Sequence, residues 1–292
     1  MRNLIAKYKN GNYTVSLYDD GTKIKESIDD FFFSLFPDSI DLKITNRCDL
    51  CCPMCHENST KDGLHAVLEA EFLNSLTSGT ELAIGGGNPL THPNIVEFLS
   101  RMKSRGVICN MTINEHHLKK EMERVIRLMD NGLIHGVGVS VFSADKVTVD
   151  FLQHKGAVAH LIAGLVTPPL INRLKDRRVL FLGYKRRGRG SDYYSPEIGR
   201  KIEWLRGVLP RLLSHFESVS FDNLALNQLG VKDLLSPEEY DLYYMGEDGE
   251  SSMYIDLVKR RFAISSTSEV FYPIESTAEE MLKRIKHEKQ KQ

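Results

Sequence analysis

The stretch "ELAIGGGNPLTHPNIVEFLSRMKSRGVICNMTI", Glu81 to Ile113, decides the fold. A short apolar run, "ELAI", ends in Gly85-Gly86-Gly87. Pro93 then fits the first turn of a segment whose apolar residues recur at helical spacing. Gly106 stands where a helix takes its left-handed terminal residue. "VICNMTI" is a second apolar run. Strand, glycine turn, helix and strand make one βαβ unit, and repeated units of this kind build a parallel sheet.

The rhythm continues both ways. "IDLKIT" from Ile40 is the strand before, and a helix is expected near Leu68 to Leu76. "HLKKEMERVIRLMDNG" reads as an amphipathic helix closing at Asn131-Gly132. "GVGVSV" and "VAHLIAGLV" are the fourth and fifth strands, "PPLINRLK" a short helix, and "RVLFLGY" the sixth strand. "SPEIGRKIEWLRGVLPRLLSHF" is helical, with a kink or break expected around Gly207 to Pro210. "SVSFDNLAL" offers a seventh strand. The expected class is α/β, a partial (β/α)6 TIM-like barrel over residues 39–229, with a doubly wound sheet as the alternative. Residues 1–38 read as a β-meander whose turns, Asn10-Gly11 and Asp19-Asp20-Gly21, supply the positive φ of tight hairpins. Residues 230–292 form an irregular α+β extension expected to cover the barrel mouth. It carries strands at Met253–Val258 and Arg261–Ser265 and a last helix from Thr277 to His287.

The chain has 292 residues, 41% hydrophobic and 26% charged, enough for a sizeable core. No apolar run approaches the roughly 18 residues of a membrane span. The opening residues are no signal peptide, so a cytoplasmic location is expected and no membrane partner. Net charge is −1, from 38 basic and 39 acidic residues, which gives no field to gather a polyanion. Nucleic acid is therefore not an expected partner. The basic runs Lys185–Arg189 and Lys259–Arg261 read as solvated faces, with a phosphate-bearing substrate near the first as the alternative.

Four of the five cysteines fall within eight positions in "RCDLCCPMCHE", Arg47 to Glu57. They form either two abutting C-x-x-C pairs or one C-x-x-x-C-x-x-C, Cys48, Cys52 and Cys55. In a cytosolic protein such clusters bind metal or do redox chemistry. A structural zinc site needs four tetrahedral ligands, and the adjacent Cys51 and Cys52 diverge in most backbone conformations. Three thiolates at spacing four and three suit a loop around an iron–sulfur cubane with one iron open. The loop follows the first strand, at the barrel face where active sites form. Cys109 stands alone in an apolar run and reads as a buried small hydrophobe.

This segment resembles the signature of the radical S-adenosylmethionine (SAM) superfamily, C-x-x-x-C-x-Φ-C, with Met54 as Φ. The resemblance implies a [4Fe–4S] cluster on Cys48, Cys52 and Cys55. It implies SAM chelated at the open iron, and an external electron donor of flavodoxin or ferredoxin type. Reductive cleavage of SAM would give a 5′-deoxyadenosyl radical that takes hydrogen from a substrate, in an oxygen-sensitive enzyme. Met54 and the backbone at His56 would lie near the adenine. The family's Gly-Gly-Glu-Pro-like motif, which receives the SAM amino group, aligns with Gly86, Gly87, Asn88 and Pro89. Asn88 departs from the usual Glu. Asn114 and Ser140 match by position the third and fourth strand ends that often reach SAM. No cysteine follows Cys109, so auxiliary clusters are not expected.

Tyr184, Lys185, Asp222, Asn223, Tyr254 and Asp256 are candidate pocket residues; ordinary strand polarity is the bland alternative for each. Tyr254 and Asp256 share a strand face. His116-His117 reads as a helix start without zinc-spaced partners. The expected activity is hydrogen abstraction from a peptide or protein side chain, or from a small metabolite or nucleotide. The rival is a non-catalytic zinc- or cluster-binding interaction or sensor protein.

Overall fold

The computed structural model describes residues 2–291. Strands β1 (Leu4–Asn10), β2 (Tyr13–Tyr18) and β3 (Lys23–Ser27) form a separate antiparallel sheet. The main sheet takes seven parallel strands from the repeated units: β4 (Ser39–Thr45), β5 (Glu81–Gly86), β6 (Ile108–Asn114), β7 (Gly136–Ser140), β8 (Ala157–Ile162), β9 (Arg178–Leu182) and β10 (Ser218–Phe221). They lie side by side in chain order, as the βα alternation dictates. The offered seventh strand exists, paired in parallel with β9.

The C-terminal segment extends this sheet. β11 (Ser252–Asp256) pairs in parallel with β4, and β12 (Arg261–Ala263) and β13 (Tyr272–Pro273) continue it antiparallel. The sheet starts at β10 and ends at β13 without closing, so the barrel is partial.

Helices α1 (Ile95–Ser104), α2 (Glu115–Asp130), α3 (Lys146–Phe151), α4 (Pro168–Arg173), α5 (Arg189–Tyr193), α6 (Pro196–Leu212) and α7 (Asn223–Leu229) connect the strands. α8 (Pro237–Tyr243) and α9 (Ala278–Lys289) follow. Alternate strand residues, such as Ile40, Leu42, Ile44, Leu82, Ile84, Val137, Val139 and Phe181, are buried in one hydrophobic core. Each such side chain contributes about 1.5–3 kcal/mol. Cys109 belongs to this core, and burial pushes its thiol up to about 12. The intervening residues, among them Asp41, Ala83, Thr112, Gly138 and His160, face a lumen.

Two helix expectations are corrected. Leu68 to Leu76 holds one 3-10 turn, Glu71–Asn74, because Ala70 is extended (ψ 136°) and the Ser75 hydroxyl closes the turn on Phe72 O. α6 runs unbroken to Leu212, since Pro210 falls in its last turn, where few backbone bonds remain to lose.

The meander lies across the N-terminal ends of the barrel strands. Lys23 pairs with Glu81 at the start of β5, and Asp19 with Lys155 (2.6 Å) just before β8. Its anchor is Asp38, fully buried, which accepts from Asn10 Nδ2 (2.8 Å), Tyr13 Oη (2.7 Å) and Lys25 Nζ (2.9 Å). Burial opposes the Asp38 charge, but these partners outweigh it and hold the carboxyl below its usual range.

Candidate metal centre

The cysteine loop leaves the C-terminal end of β4 with almost no regular structure of its own. Cys48 N donates to Thr60 O (2.7 Å), and Cys55 N to Cys52 O (3.1 Å). Cys48, Cys52 and Cys55 are free and half-buried. Cys51 is exposed and takes a left-handed φ of 45°. Burial pushes the Cys48 and Cys52 thiols up, and the charges of neighbouring cysteines add to it: Cys52 and Cys55 at Cys48, and Cys55 and Cys51 at Cys52. Thiolates that raise one another's pKa in this way would be stabilised by a cationic metal centre.

The glycine run holds the loop from one side. Gly87 N donates to Thr45 O (2.8 Å), and Asn88 N to Arg47 O (2.7 Å). A Cβ on Gly86 would sit 2.3 Å from Thr45 O, and one on Gly87 2.2 Å from Arg47 O. Gly86 also needs its φ of 107°. Gly85 is different: a Cβ there would meet nothing within 4 Å, so its backbone borders open space. The buried Asn88 caps the turn that follows, accepting from Leu90 N (3.2 Å).

The loop after β9 holds the other side, a contact the sequence reading left open. Arg189 N donates to Cys55 O (3.1 Å), its Nε to Cys52 O (3.0 Å) and its Nη2 to Ser59 O (2.9 Å). A Cβ on Gly188 would lie 2.6 Å from His56 O, and one on Gly190 3.0 Å from Met54 O. Arg189 belongs to the basic run read as a solvated face, yet it straps the metal loop.

Below the loop, Lys43 Nζ pairs with Glu57 (2.5 Å) and Asp256 (3.8 Å), and Tyr254 Oη donates to Glu57 (3.0 Å). Tyr254 and Asp256 do share a face, and it meets the residue two after Cys55. Burial opposes the Glu57 charge; His56 and Lys43 prevail and hold its carboxyl well below the usual range. Burial, helped by Glu57, raises the Tyr254 phenol far above its ordinary value. Glu57 and Lys43 were not singled out from sequence, although Glu57 directly follows the Cys-His pair.

The remaining candidates divide. Met54 packs on the core, and His56 approaches Glu57 (3.4 Å). Asn114 caps α2 through His116 N (2.9 Å) and stands in register with Ser140. Lys185, Asp222 and Asn223 border one cleft of the lumen, with Asp41 and Asp248. Asp222 caps α7, and Asn223 donates to Asp248 (2.8 Å). Tyr184 lies apart from them: its ring is in the core and its hydroxyl donates to Gly190 O (2.8 Å). His117 has partners after all. Its Nε2 meets Asp49 at 2.6 Å beside Cys48, three potential ligands within 4.8 Å of one another.

The radical SAM superfamily model matches residues 42–165, which hold the cysteine loop, the glycine run and the first five parallel strands. The match to the radical SAM superfamily is confined to this segment, under half of the chain. Members of that superfamily work with a [4Fe–4S] cluster and SAM. The chain is 30% identical to a PqqA peptide cyclase from Methylocella silvestris over 43% of its own length and 35% of that protein's. It is 26% identical to a tungsten-containing aldehyde ferredoxin oxidoreductase cofactor-modifying protein from Pyrococcus furiosus, over 75% of this chain and 58% of the relative. The chain thus spans under two thirds of either relative. Streptococcus suis SuiB shares the fold at 12–13% identity. The TM-score is 0.53 for its SAM-bound form and 0.54 for the form bound to precursor peptide SuiA, with 80% of this chain and 60–61% of SuiB covered. No helix among the described residues is long and apolar enough to cross a membrane.

The donor set fits the family's cluster. Three half-buried thiols share one loop, the fourth cysteine is exposed, and bare glycine backbone with open space lies alongside.

Proposed function

We propose that Cys48, Cys52 and Cys55 hold the cluster and that the enzyme abstracts hydrogen from a side chain of a peptide or protein. The carrying observation is three half-buried thiols on one short loop that is clamped by the glycine run and Arg189. The PqqA peptide cyclase and the peptide-bound SuiB structure support the substrate class. When bound, the cluster and SAM supply a carbon-centred radical able to break a C–H bond.

The chain's own residues bind and orient. Gly85 and Gly86 present backbone carbonyls to an ammonium group, in place of the carboxylate that Asn88 lacks. Met54 offers an apolar contact for a base, and Asn114 and Ser140 offer polar strand ends. The Lys43–Glu57–Tyr254–Asp256 network keeps its charges paired, which stiffens the wall beside the loop. A flavodoxin- or ferredoxin-type protein delivers the electron.

Anaerobic reconstitution tests the reading. It should give about four irons per chain, SAM binding, and 5′-deoxyadenosine on reduction. Stoichiometric zinc with no deoxyadenosine would sink it. A panel of peptides, small metabolites and nucleotides then tests the substrate class: peptides should accelerate deoxyadenosine release most.

A further inference from the structure

The lumen row that begins with Asn114 and Ser140 continues in register to His160 on β8 and Leu180 on β9. His160 lies against bare backbone. A Cβ on Gly138 would stand 2.1 Å from its Cε1 and 2.2 Å from its Nε2. The ring borders a cavity of about 320 Å³ with Ala83, Thr112, Leu180 and Ser220. Its Nδ1 is buried and has no hydrogen-bond partner among the described residues.

Buried polar atoms in folded proteins are nearly always paired. His160 Nδ1 departs from that rule and lies covered beside Gly138, out of a guest's reach, so the ring meets the cavity through its other nitrogen, Nε2. Burial, with the Lys185 charge adding to it, pulls the imidazole down to about 4. At neutral pH the ring is uncharged, with one donor and one acceptor nitrogen. The charges at the floor of the cavity are already paired, Asp19 with Lys155 and Glu81 with Lys23. The surroundings therefore favour a neutral guest with both a donor and an acceptor, and an amide has both.

We infer that His160 is a specificity-determining residue whose ring hydrogen-bonds an uncharged amide of the substrate in this pocket. The inference rests on the reading that the cluster and SAM sit at the C-terminal end of the same lumen. His160 acts by positioning: the amide fixes which C–H bond of the substrate faces the chemistry.

The test uses cluster-loaded protein with 15N-labelled histidine, followed by NMR. N-methylacetamide is the probe, and acetate and methylammonium are the charged controls. N-methylacetamide should shift the His160 ring nitrogens saturably, the signal being assigned by its loss in His160→Gln. Gly138→Ala keeps the imidazole but displaces it, and should weaken the response about tenfold, as for one lost hydrogen bond. Thr112→Leu narrows the pocket from another wall and should do the same if Gly138→Ala misfolds. A silent His160, a larger response to either ion, or an unchanged response in the folded variants overturns the inference. Iron content and deoxyadenosine release are measured on the same samples. If both persist while His160 is silent, only this inference fails. If both are lost, the reading of the site fails with it.

Discussion

The two ends of the barrel are held in opposite ways. At the C-terminal end, the cysteine loop has little secondary structure, and its shape comes from backbone bonds to the glycine run and from the Arg189 strap. At the N-terminal end, the meander is regular sheet fixed by side chains that converge on one buried carboxylate, Asp38. A loop that must close around a metal gains from backbone contacts that leave its side chains free. A cover with no such duty can rest on an ionic network. Chemistry and stability should therefore separate when the ends are mutated.

The largest effect should come from the cysteines. Ala at Cys48, Cys52 or Cys55 should abolish both cluster iron and deoxyadenosine formation, whereas Cys51→Ala keeps both. Equal iron loss in all four variants would show that the three ligands are wrongly chosen. Next is Gly87→Ala, whose methyl would collide with Arg47 O. It should assemble little cluster while keeping a folded far-UV CD spectrum. Full iron content would contradict the clamp.

Asp38→Ala should lower stability by about 3–5 kcal/mol, as for a broken buried ion pair, read by urea unfolding. Iron per folded chain should not change. If iron falls with stability, the two ends are coupled and the comparison breaks. The depressed Asp38 carboxyl also gives a pH dependence. Its contribution is complete above the unfolded value, about 3.9, and is lost as pH falls through the lower folded value. Acid should therefore loosen the meander of wild type while Asp38→Asn shows a flatter stability curve below pH ~4. The smallest effect is expected for Asn88→Ala, which removes one capping bond to Leu90 N and should cost about 1 kcal/mol. A large loss of SAM affinity there would assign Asn88 a direct ligand contact.

The parallel strands were legible because local punctuation marks bound them or the helices between them: the Gly85 run ends a strand, Gly106 and Asn131-Gly132 close helices, and Pro168-Pro169 opens one. The cysteine spacing was legible for the same reason, being wholly local. What escaped was distant in the chain. β11 pairs with β4 more than 200 positions away, and nothing in "SSMYIDLV" names its partner. Arg189 looks like any surface arginine until the loop after β9 folds onto Cys52. Asn114 serves as the cap that its place before a helix predicts. Tyr184 was misplaced because an aromatic residue just past a strand end has two sides to choose between, and packing against Tyr194 decided it.

The Arg189 strap also bears on the order of assembly. Its bond to Cys52 O joins residues 137 positions apart. Closing so wide a loop is entropically slow and waits for the intervening strands. During synthesis the three thiols emerge long before the contact that shapes their loop. The metal pocket should therefore mature late, after β9 is in place, so that iron enters a nearly finished fold rather than a nascent chain. Pulsed thiol labelling during refolding should show cysteine protection rising with that of β9; protection that precedes β9 would reverse the order.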